Sequence, residues 1–241
     1  MTEEQELLYA GKAKSVYVTG HPGVLAMKFR DDITAFDGMK KEVLSDKGRL
    51  NAQVSEFLFR YLGAHGVRNH FLRMADERTM IVRSLRMIPL EVIVRNIAAG
   101  SMVRNLPIAE GTPLEPPVIV IDYKDDAKHD PMVNDDLIVA LHILDKRSLA
   151  KIKRIAHRTN TLLKEYLSGK GILLVDFKLE FGREDDSLLI GDEISMDSMR
   201  LWDAATRQSL DKDVYRFEKG DVIETYRTVA KRIMDHPGER P

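Results

Sequence analysis

The residues best suited to chemistry here are carboxylates and lysines on alternating positions of one segment, LLVDFKLEFG. Side chains alternate along an extended strand, so Asp176, Lys178 and Glu180 share one face while Phe177, Leu179 and Phe181 share the other. A second run, LLIGDE, reads as the partner strand of a hairpin, residues 172–181 and 188–194 around a turn at 182–187. It brings Asp192 and Glu193, one to each face, and a near-symmetric register puts Asp192 with the charged set. Two carboxylates about 4 Å apart repel by roughly 4 kcal/mol at an effective dielectric of about 20. An enclosed face of this kind needs Lys178 or a bound cation to offset that cost. A few carboxylate oxygens suit Mg²⁺ shared with substrate phosphates. The pattern also fits the solvated face of an amphipathic hairpin, although flanking apolar helices argue for cover on at least one side.

Other segments carry weaker signals. Gly11-Lys12-Ala13-Lys14-Ser15 lies between two short strands, and a turn with inward amides and two lysines can lie over a polyphosphate. Taken alone, a surface hairpin with solubilising lysines accounts for it better. No G-x-x-x-x-G-K-[ST] or G-x-G-x-x-G occurs in the chain. In Arg95-Asn96-Ile97-Ala98-Ala99-Gly100-Ser101 a strand end runs into small residues that open a helix, leaving amides free for an anion. Arg95 and Ser101 add a charge and a hydroxyl suited to a phosphate monoester; a tight turn packed on the core is the competing account. GDEISMDSMRLWD gathers carboxylates, Ser195, Ser198, Arg200 and Trp202, and also reads as a capped helix start. His129-Asp130-Pro131 reads first as a turn.

Composition narrows the class. Apolar residues make up 44% and charged residues 31%, as in a globular enzyme. Lysine plus arginine, 37, nearly equals aspartate plus glutamate, 38, which argues against nucleic acid or an anionic membrane as the main partner. There is no cysteine, so thiolate chemistry and disulfides are excluded, and no H-x-x-x-H pair suggests a zinc hydrolase. MTEEQELLYAGK is acidic without a long apolar run, which predicts no signal peptide and a cytoplasmic protein.

The elements that must position these residues read as follows. Short strands are expected around the GKAK turn and at 24–29, then a polar loop from Asp31 to Gly38. Leu50, Val54, Phe57, Leu58, Tyr61 and Leu62 predict a helix closed by Gly63. Strands follow at 70–74, 79–87 and 90–97, a proline-rich loop at 106–117, a strand at 118–123 and a polar loop at 123–136. Ser148 is the expected N-cap of a long helix with Leu149, Ile152, Ile155, Ala156, Leu162, Leu163 and Leu167 on its apolar stripe. An amphipathic helix closes the pattern at about 219–235. Two lobes are expected, 1–87 and 88–241.

In order along the chain, GKAKSVY, DDITAFDG, IPLEVIVRNIAAGS, KHDPMVND, LLVDFKLEFG and GDEISMDSMRLWD resemble the SAICAR synthetase family of de novo purine biosynthesis. The likeness covers nearly the whole chain, and VRNIAAGS with DFKLEFG is highly specific. It implies an α+β fold with a small kinase-like N-terminal antiparallel β lobe and a larger ATP-grasp-like α/β lobe, with ATP between them. It further implies ATP- and Mg²⁺-dependent joining of a carboxyaminoimidazole ribonucleotide (CAIR) to L-aspartate, with ADP and phosphate released. By the same resemblance Lys12, Ala13, Lys14, Lys124 and Glu180 line the ATP site, and Glu180 and Asp192 hold Mg²⁺. Arg95, Ser101 and Arg200 grip the ribonucleotide phosphate, and Lys178, Asp130 and Asp192 are the catalytic set. A homodimer is a further expectation from the resemblance. Two positions depart from the family pattern: Met196 stands where proline is usual, and Thr34 where serine is. Neither removes a charged group.

The chemistry accounts for the residue inventory. A carboxylate does not acylate an amine in water, because its oxygen is a poor leaving group; phosphorylation by ATP makes an acyl phosphate that an amine can attack. The protein must then neutralise charge and align substrates, which needs cations and carboxylates but no nucleophile triad. Water must be kept from the intermediate, a task for the GKAKS loop and DDITAFDG. A small-molecule kinase would share the ATP and Mg²⁺ site, yet no H-R-D-x-x-x-x-N catalytic loop is present. A non-catalytic nucleotide sensor would not need the Arg95, Ser101 and Arg200 anion site.

Overall fold

The computed structural model describes residues 6–35 and 39–235; residues 36–38, the end of the DDITAFDG segment, lie outside them, as do 1–5 and 236–241. The chain opens with β1 (Leu7–Ala10), β2 (Lys14–Val18) and β3 (Val24–Phe29), as the sequence predicts. β4 (Asp32–Ala35) and β5 (Lys40–Val43) then form a two-stranded hairpin where a polar loop was expected. The alternation that drives it is Ile33 and Ala35, both buried with Tyr215, while the polar residues between them stay at the edge. α1 (Lys47–Ala64) runs past Gly63 and ends at His65.

β6 (Phe71–Asp76) and β7 (Thr79–Arg83) complete an antiparallel sheet in the order β1-β2-β3-β7-β6. The expected strand at 79–87 is broken, because Ser84 and Leu85 carry the chain from this sheet to a second one. β8 (Arg86–Ile97) begins there. Gly182 makes room for the crossing, since a Cβ at that position would lie 2.6 Å from Cβ of Leu85. α2 (Ser101–Asn105) follows, then β9 (Pro113–Tyr123), which starts five residues earlier than expected. Prolines are tolerated there because β9 is an edge strand paired only with β8.

α3 (Asp135–Ala140) and α4 (Lys146–Ser168) precede the long strand β10 (Ile172–Glu184). The N-cap of α4 is Asp145, whose carboxylate accepts from the Ser148 amide at 2.8 Å; Ser148 lies inside the first turn. β11 (Ser187–Gly191) and β12 (Met199–Asp203) both pair with β10, and α5 (Asp213–Arg216) and α6 (Val222–Met234) end the described chain. The second sheet runs β11-β10-β8-β9, all neighbours antiparallel.

α4 packs on β10 and β8 with its stripe of Leu149, Ile152, Ala156, Leu162, Leu163 and Leu167 buried. α1 packs on the first sheet and on α6. One continuous apolar core joins Met27 and Leu58 of the first sheet region to Val92, Leu179 and Tyr226 of the second. Each such aliphatic side chain contributes about 1.5–3 kcal/mol on burial. The architecture is therefore α+β with two five-stranded antiparallel sheets and the β4–β5 hairpin, and among the described residues no helix is long and apolar enough to cross a membrane.

Candidate active site

β10 organises the site. Along one edge it carries β8, and along the other it carries β12 beside residues 172–177 and then β11 beside 180–184. Between β11 and β12 the chain leaves the sheet as residues 192–198 and returns, with the Lys178 amide donating to Ser198 O at 2.9 Å. The opening between the two strands lies beside the centre of β10. Cross-strand partners share a face, so Glu91 and Arg95 of β8, Asp122 of β9 and Arg200 of β12 join Asp176, Lys178 and Glu180 on one polar surface. Phe177 and Leu179 point the other way and are buried.

The hairpin register differs from the near-symmetric one. Glu184 faces Ser187, so the turn is only Asp185-Asp186, and Glu180 faces Gly191. A strand continued to Asp192 would have sent that side chain to the apolar face. Instead β11 stops at Gly191, and Asp192 adopts a left-handed backbone, φ 55°. Asp192 and Glu193 do not split between faces: Lys14 Nζ donates to Asp192 Oδ1 at 2.5 Å and to Glu193 Oε1 at 2.8 Å. Burial alone would lower the Lys14 ammonium, but the two carboxylates outweigh it and hold its pKa above the ordinary lysine value. Burial likewise would raise Asp192, yet Lys14 and Lys178 hold it well below the usual carboxylate range.

Lys178 Nζ bridges Glu91 Oε1 at 2.6 Å and Glu180 Oε1 at 3.0 Å, and Lys124 Nζ donates to Glu180 Oε2 at 2.6 Å. Desolvation opposes the charge on Lys178, but Glu180, Glu91 and Asp192 together keep it firmly protonated. Asp122 sits at the rim of the cluster. Burial, then the charges of Glu91 and Asp130, push its pKa up to about 6 against the pull of Arg95.

A second polar centre lies toward β12. Arg95, 5% exposed, donates from Nη1 to Asp176 Oδ2 at 2.8 Å and from Nη2 to Ser101 Oγ at 2.9 Å. Its Nε is buried without a hydrogen-bond partner. Arg200 Nη1 reaches the same Asp176 oxygen at 2.7 Å, and its Nε donates to Asp213 Oδ2 at 2.7 Å. Gly100, at φ 59°, lies so close that a Cβ would stand 2.7 Å from Arg200 Nη2. Two guanidinium groups, a hydroxyl and a glycine backbone thus converge, the donor set suited to a phosphate monoester.

The 192–198 segment is anchored from outside the sheet. His70 Nε2 lies 2.9 Å from Asp192 O, and burial first, with Lys14 adding to it, lowers the imidazole pKa to about 4 despite the Asp192 charge. Ser55 Oγ accepts from the Ile194 amide at 3.2 Å, and Ser195 Oγ donates to Glu193 Oε2 at 2.7 Å. Lys47, 1% exposed, pairs with Asp197 at 2.6 Å, and Tyr226 OH donates to the same carboxylate at 2.8 Å. Met196 is fully buried in this segment, so its side chain fills the core where the family pattern has proline.

The structure brings Lys14, Lys124, Lys178, Glu180 and Asp192 into one cluster, and Arg95, Ser101 and Arg200 into another on the same sheet face. Lys12 is exposed in the turn before β2, and Ala13 O accepts from the Arg30 amide at 2.8 Å. Asp130 is held within its own loop, accepting from the Asp125 amide at 2.8 Å, and meets the cluster through Asp122 rather than by a hydrogen bond to Lys178. GDEISMDSMRLWD forms a turn and β12 rather than a helix start, because its MRLWD end pairs with β10. Glu91 escaped the reading although it alternates with Arg95 in LEVIVR; Asp213 and His70 carry no local signal.

Among the described residues no group of three or more histidines, aspartates or glutamates is set to hold a metal ion by itself. Mg²⁺ takes one or two carboxylates and completes its shell with water and phosphate oxygens. Glu180 and Asp192 fit such a role: Asp192 follows directly the cross-strand partner of Glu180, and both carboxylates act on Lys178.

Comparison with known proteins identifies the family. The family model for SAICAR synthetase matches residues 7–233. A phosphoribosylaminoimidazole-succinocarboxamide synthase of Methanoculleus marisnigri is 62% identical over 239 residues, 99% of each chain. The crystal structure of the synthase of that name from Ehrlichia chaffeensis superposes with a TM-score of 0.93 at 41% identity, covering 97% of this chain and 100% of the other. A structure of a SAICAR synthetase in complex with ADP superposes with a TM-score of 0.92 at 47% identity, covering 98% of this chain and 99% of the other. With its polar sheet face, its paired arginines and a match along almost all its length, the chain belongs to the SAICAR synthetase family.

Proposed function

We propose that this chain is an ATP-dependent carboxylate–amine ligase that condenses CAIR with L-aspartate to give SAICAR, ADP and phosphate. Family membership supports the reaction, and the site residues are assigned on the geometry above. The observation that carries the assignment is the presence of two separate anion-handling centres on one face of the β8-β10-β12 sheet. A nucleotide sensor requires only one of them, and the H-R-D-x-x-x-x-N catalytic loop of a kinase does not occur in the sequence.

In this reading Arg95, Ser101 and Arg200 hold the ribonucleotide phosphate, and its imidazole carboxylate extends toward Lys178 and Asp130. Lys12, Ala13, Lys14 and Lys124 line the triphosphate path. Glu180 and Asp192 would hold Mg²⁺, which when bound neutralises phosphate oxygens. An oxygen of the substrate carboxylate attacks the γ-phosphorus and ADP leaves. The amine of aspartate then adds to the acyl carbon, phosphate departs with the former carboxylate oxygen, and the ammonium loses a proton. Lys178, kept protonated by its carboxylates, is suited to stabilise the charge that develops on the acyl oxygen.

The lobes are assigned as 1–87 and 88–241, supported by the change of sheet between Arg83 and Arg86. A homodimer is retained as a proposal from the family likeness, to be checked by light scattering. Release of ADP that requires both CAIR and L-aspartate tests the ligase reading. ADP release without aspartate, with phosphate moved to a hydroxyl, would establish the kinase instead.

A further inference from the structure

The lysine that meets Asp192 comes from far away in the chain. Lys14 is the first residue of β2 in the first sheet, and it crosses to a loop of the second sheet 178 residues on. Its side chain is only 13% exposed, and those of Asp192 and Glu193 are 21% and 6% exposed. Glu180 is met in the same way by Lys124 and Lys178, and Glu91 by Lys178. Each carboxylate proposed to ligate the cation therefore already has an ammonium group in contact with it.

We infer that Lys14 is an exchangeable internal counter-ion, which neutralises Asp192 and Glu193 until Mg²⁺ and nucleotide bind together, and which then passes to the nucleotide phosphates. This rests on the assignment of Asp192 as a metal ligand. A divalent cation binding alone at Asp192 competes with Lys14 for the carboxylate that the ammonium touches through Oδ1. It leaves a mostly buried ammonium with Glu193 as its one contacting carboxylate, next to two further positive charges. A nucleotide binding alone can draw Lys14 away only by leaving Asp192 and Glu193 unneutralised beside a polyphosphate. Bound together, the two ligands exchange partners: the cation takes the carboxylate and the phosphates take the ammonium. Lys14 thus makes metal and nucleotide binding cooperative, and linkage requires the effect to be equal in both directions.

Lys12 is exposed, whereas Lys14 is the lysine that meets Asp192 and Glu193. A static role for Lys14, as a fixed clamp for phosphate or a purely structural ion pair, makes a different forecast. Its removal would then weaken nucleotide binding or the fold without strengthening metal binding.

The test is Mn²⁺ binding to the full chain, followed by the EPR signal of free Mn²⁺, with and without ADP. Lys14→Met should bind Mn²⁺ alone about tenfold or more tightly than wild type, within the usual range of site-to-site coupling. ADP should then tighten Mn²⁺ binding far less in Lys14→Met than in wild type. Lys14→Arg, which keeps the charge, should resemble wild type in Mn²⁺ binding without ADP. Melting curves give a second readout: Mn²⁺ should raise the Tm of Lys14→Met while barely moving that of wild type. Equal Mn²⁺ affinity of wild type and Lys14→Met without ADP would overturn the exchange. Adding Asp192→Asn to Lys14→Met should abolish the gain. If it does not, the metal assignment itself is wrong, an outcome separate from failure of the exchange alone.

Discussion

Arg95 and Arg200 meet on a single oxygen: Nη1 of each donates to Oδ2 of Asp176, at 2.8 and 2.7 Å. One carboxylate thereby holds two guanidinium groups side by side, and Asp213 fixes the far edge of Arg200. In the proposed reading the donors for a substrate dianion are already gathered. Arg200→Ala should raise the KM for the ribonucleotide about tenfold to a hundredfold, the loss expected for one charge-assisted contact. Steady-state kinetics should show the KM values for ATP and aspartate changing much less. Equal increases for all three substrates would mean that Arg200 serves only the fold.

Gly100 should be nearly as sensitive. Its backbone, φ 59° and ψ −127°, is one that side-chain-bearing residues avoid, and a Cβ would press on the Arg200 guanidinium. Gly100→Ala should cost about 1–3 kcal/mol of stability, measured by urea unfolding. It should also raise the ribonucleotide KM, because Arg200 must leave Asp176 to make room. Combined with Arg200→Ala, the KM effects should fall well short of additive.

The conformation of Asp192 predicts a stability profile. His70, 4% exposed, faces the Asp192 carbonyl, and burial lowers its pKa to about 4. An unfolded histidine titrates near 6.5. The folded value is the lower one, so the contribution is complete above pH 6.5 and is lost as pH falls toward 4. Urea unfolding should therefore show about 2 kcal/mol less stability at pH 5 than at pH 7.5 from this group. His70→Gln should be less stable at neutral pH and should flatten that part of the profile. An unchanged slope in the variant would assign the acid sensitivity elsewhere.

The polar face of β10 was legible because alternation is a local rule: Asp176, Lys178 and Glu180 needed only the strand. The same rule held for Glu91 and Arg95, and the former was passed over for want of a chemical motif around it. The contact of Lys14 with Asp192 was not legible, since two sheets must dock before those residues meet. Nor was the turn of Asp192 into the cluster, which depends on a positive φ and a two-residue hairpin turn that sequence alternation does not reveal. The prolines of β9 and Asp32 of β4 misled for one shared reason. Residue preferences describe average environments, and both strands occupy sheet edges where those preferences relax.

The order of bond changes can be read from one oxygen. If CAIR is phosphorylated on its carboxylate, the bridging oxygen of the acyl phosphate leaves with phosphorus when aspartate attacks. CAIR labelled with ¹⁸O in that carboxylate should therefore transfer one ¹⁸O into inorganic phosphate for each SAICAR formed, as seen by the ³¹P isotope shift. The site suits this sequence, because Lys178 stands on β10 between Asp176, which holds Arg95 and Arg200, and Glu180, which it contacts. Attack of aspartate on an unactivated carboxylate, with ATP hydrolysed separately by water, would leave phosphate unlabelled. Phosphorylation of aspartate itself would do the same. Unlabelled phosphate alongside normal SAICAR formation would thus remove the acyl phosphate from the mechanism, while leaving the ligase reaction in place.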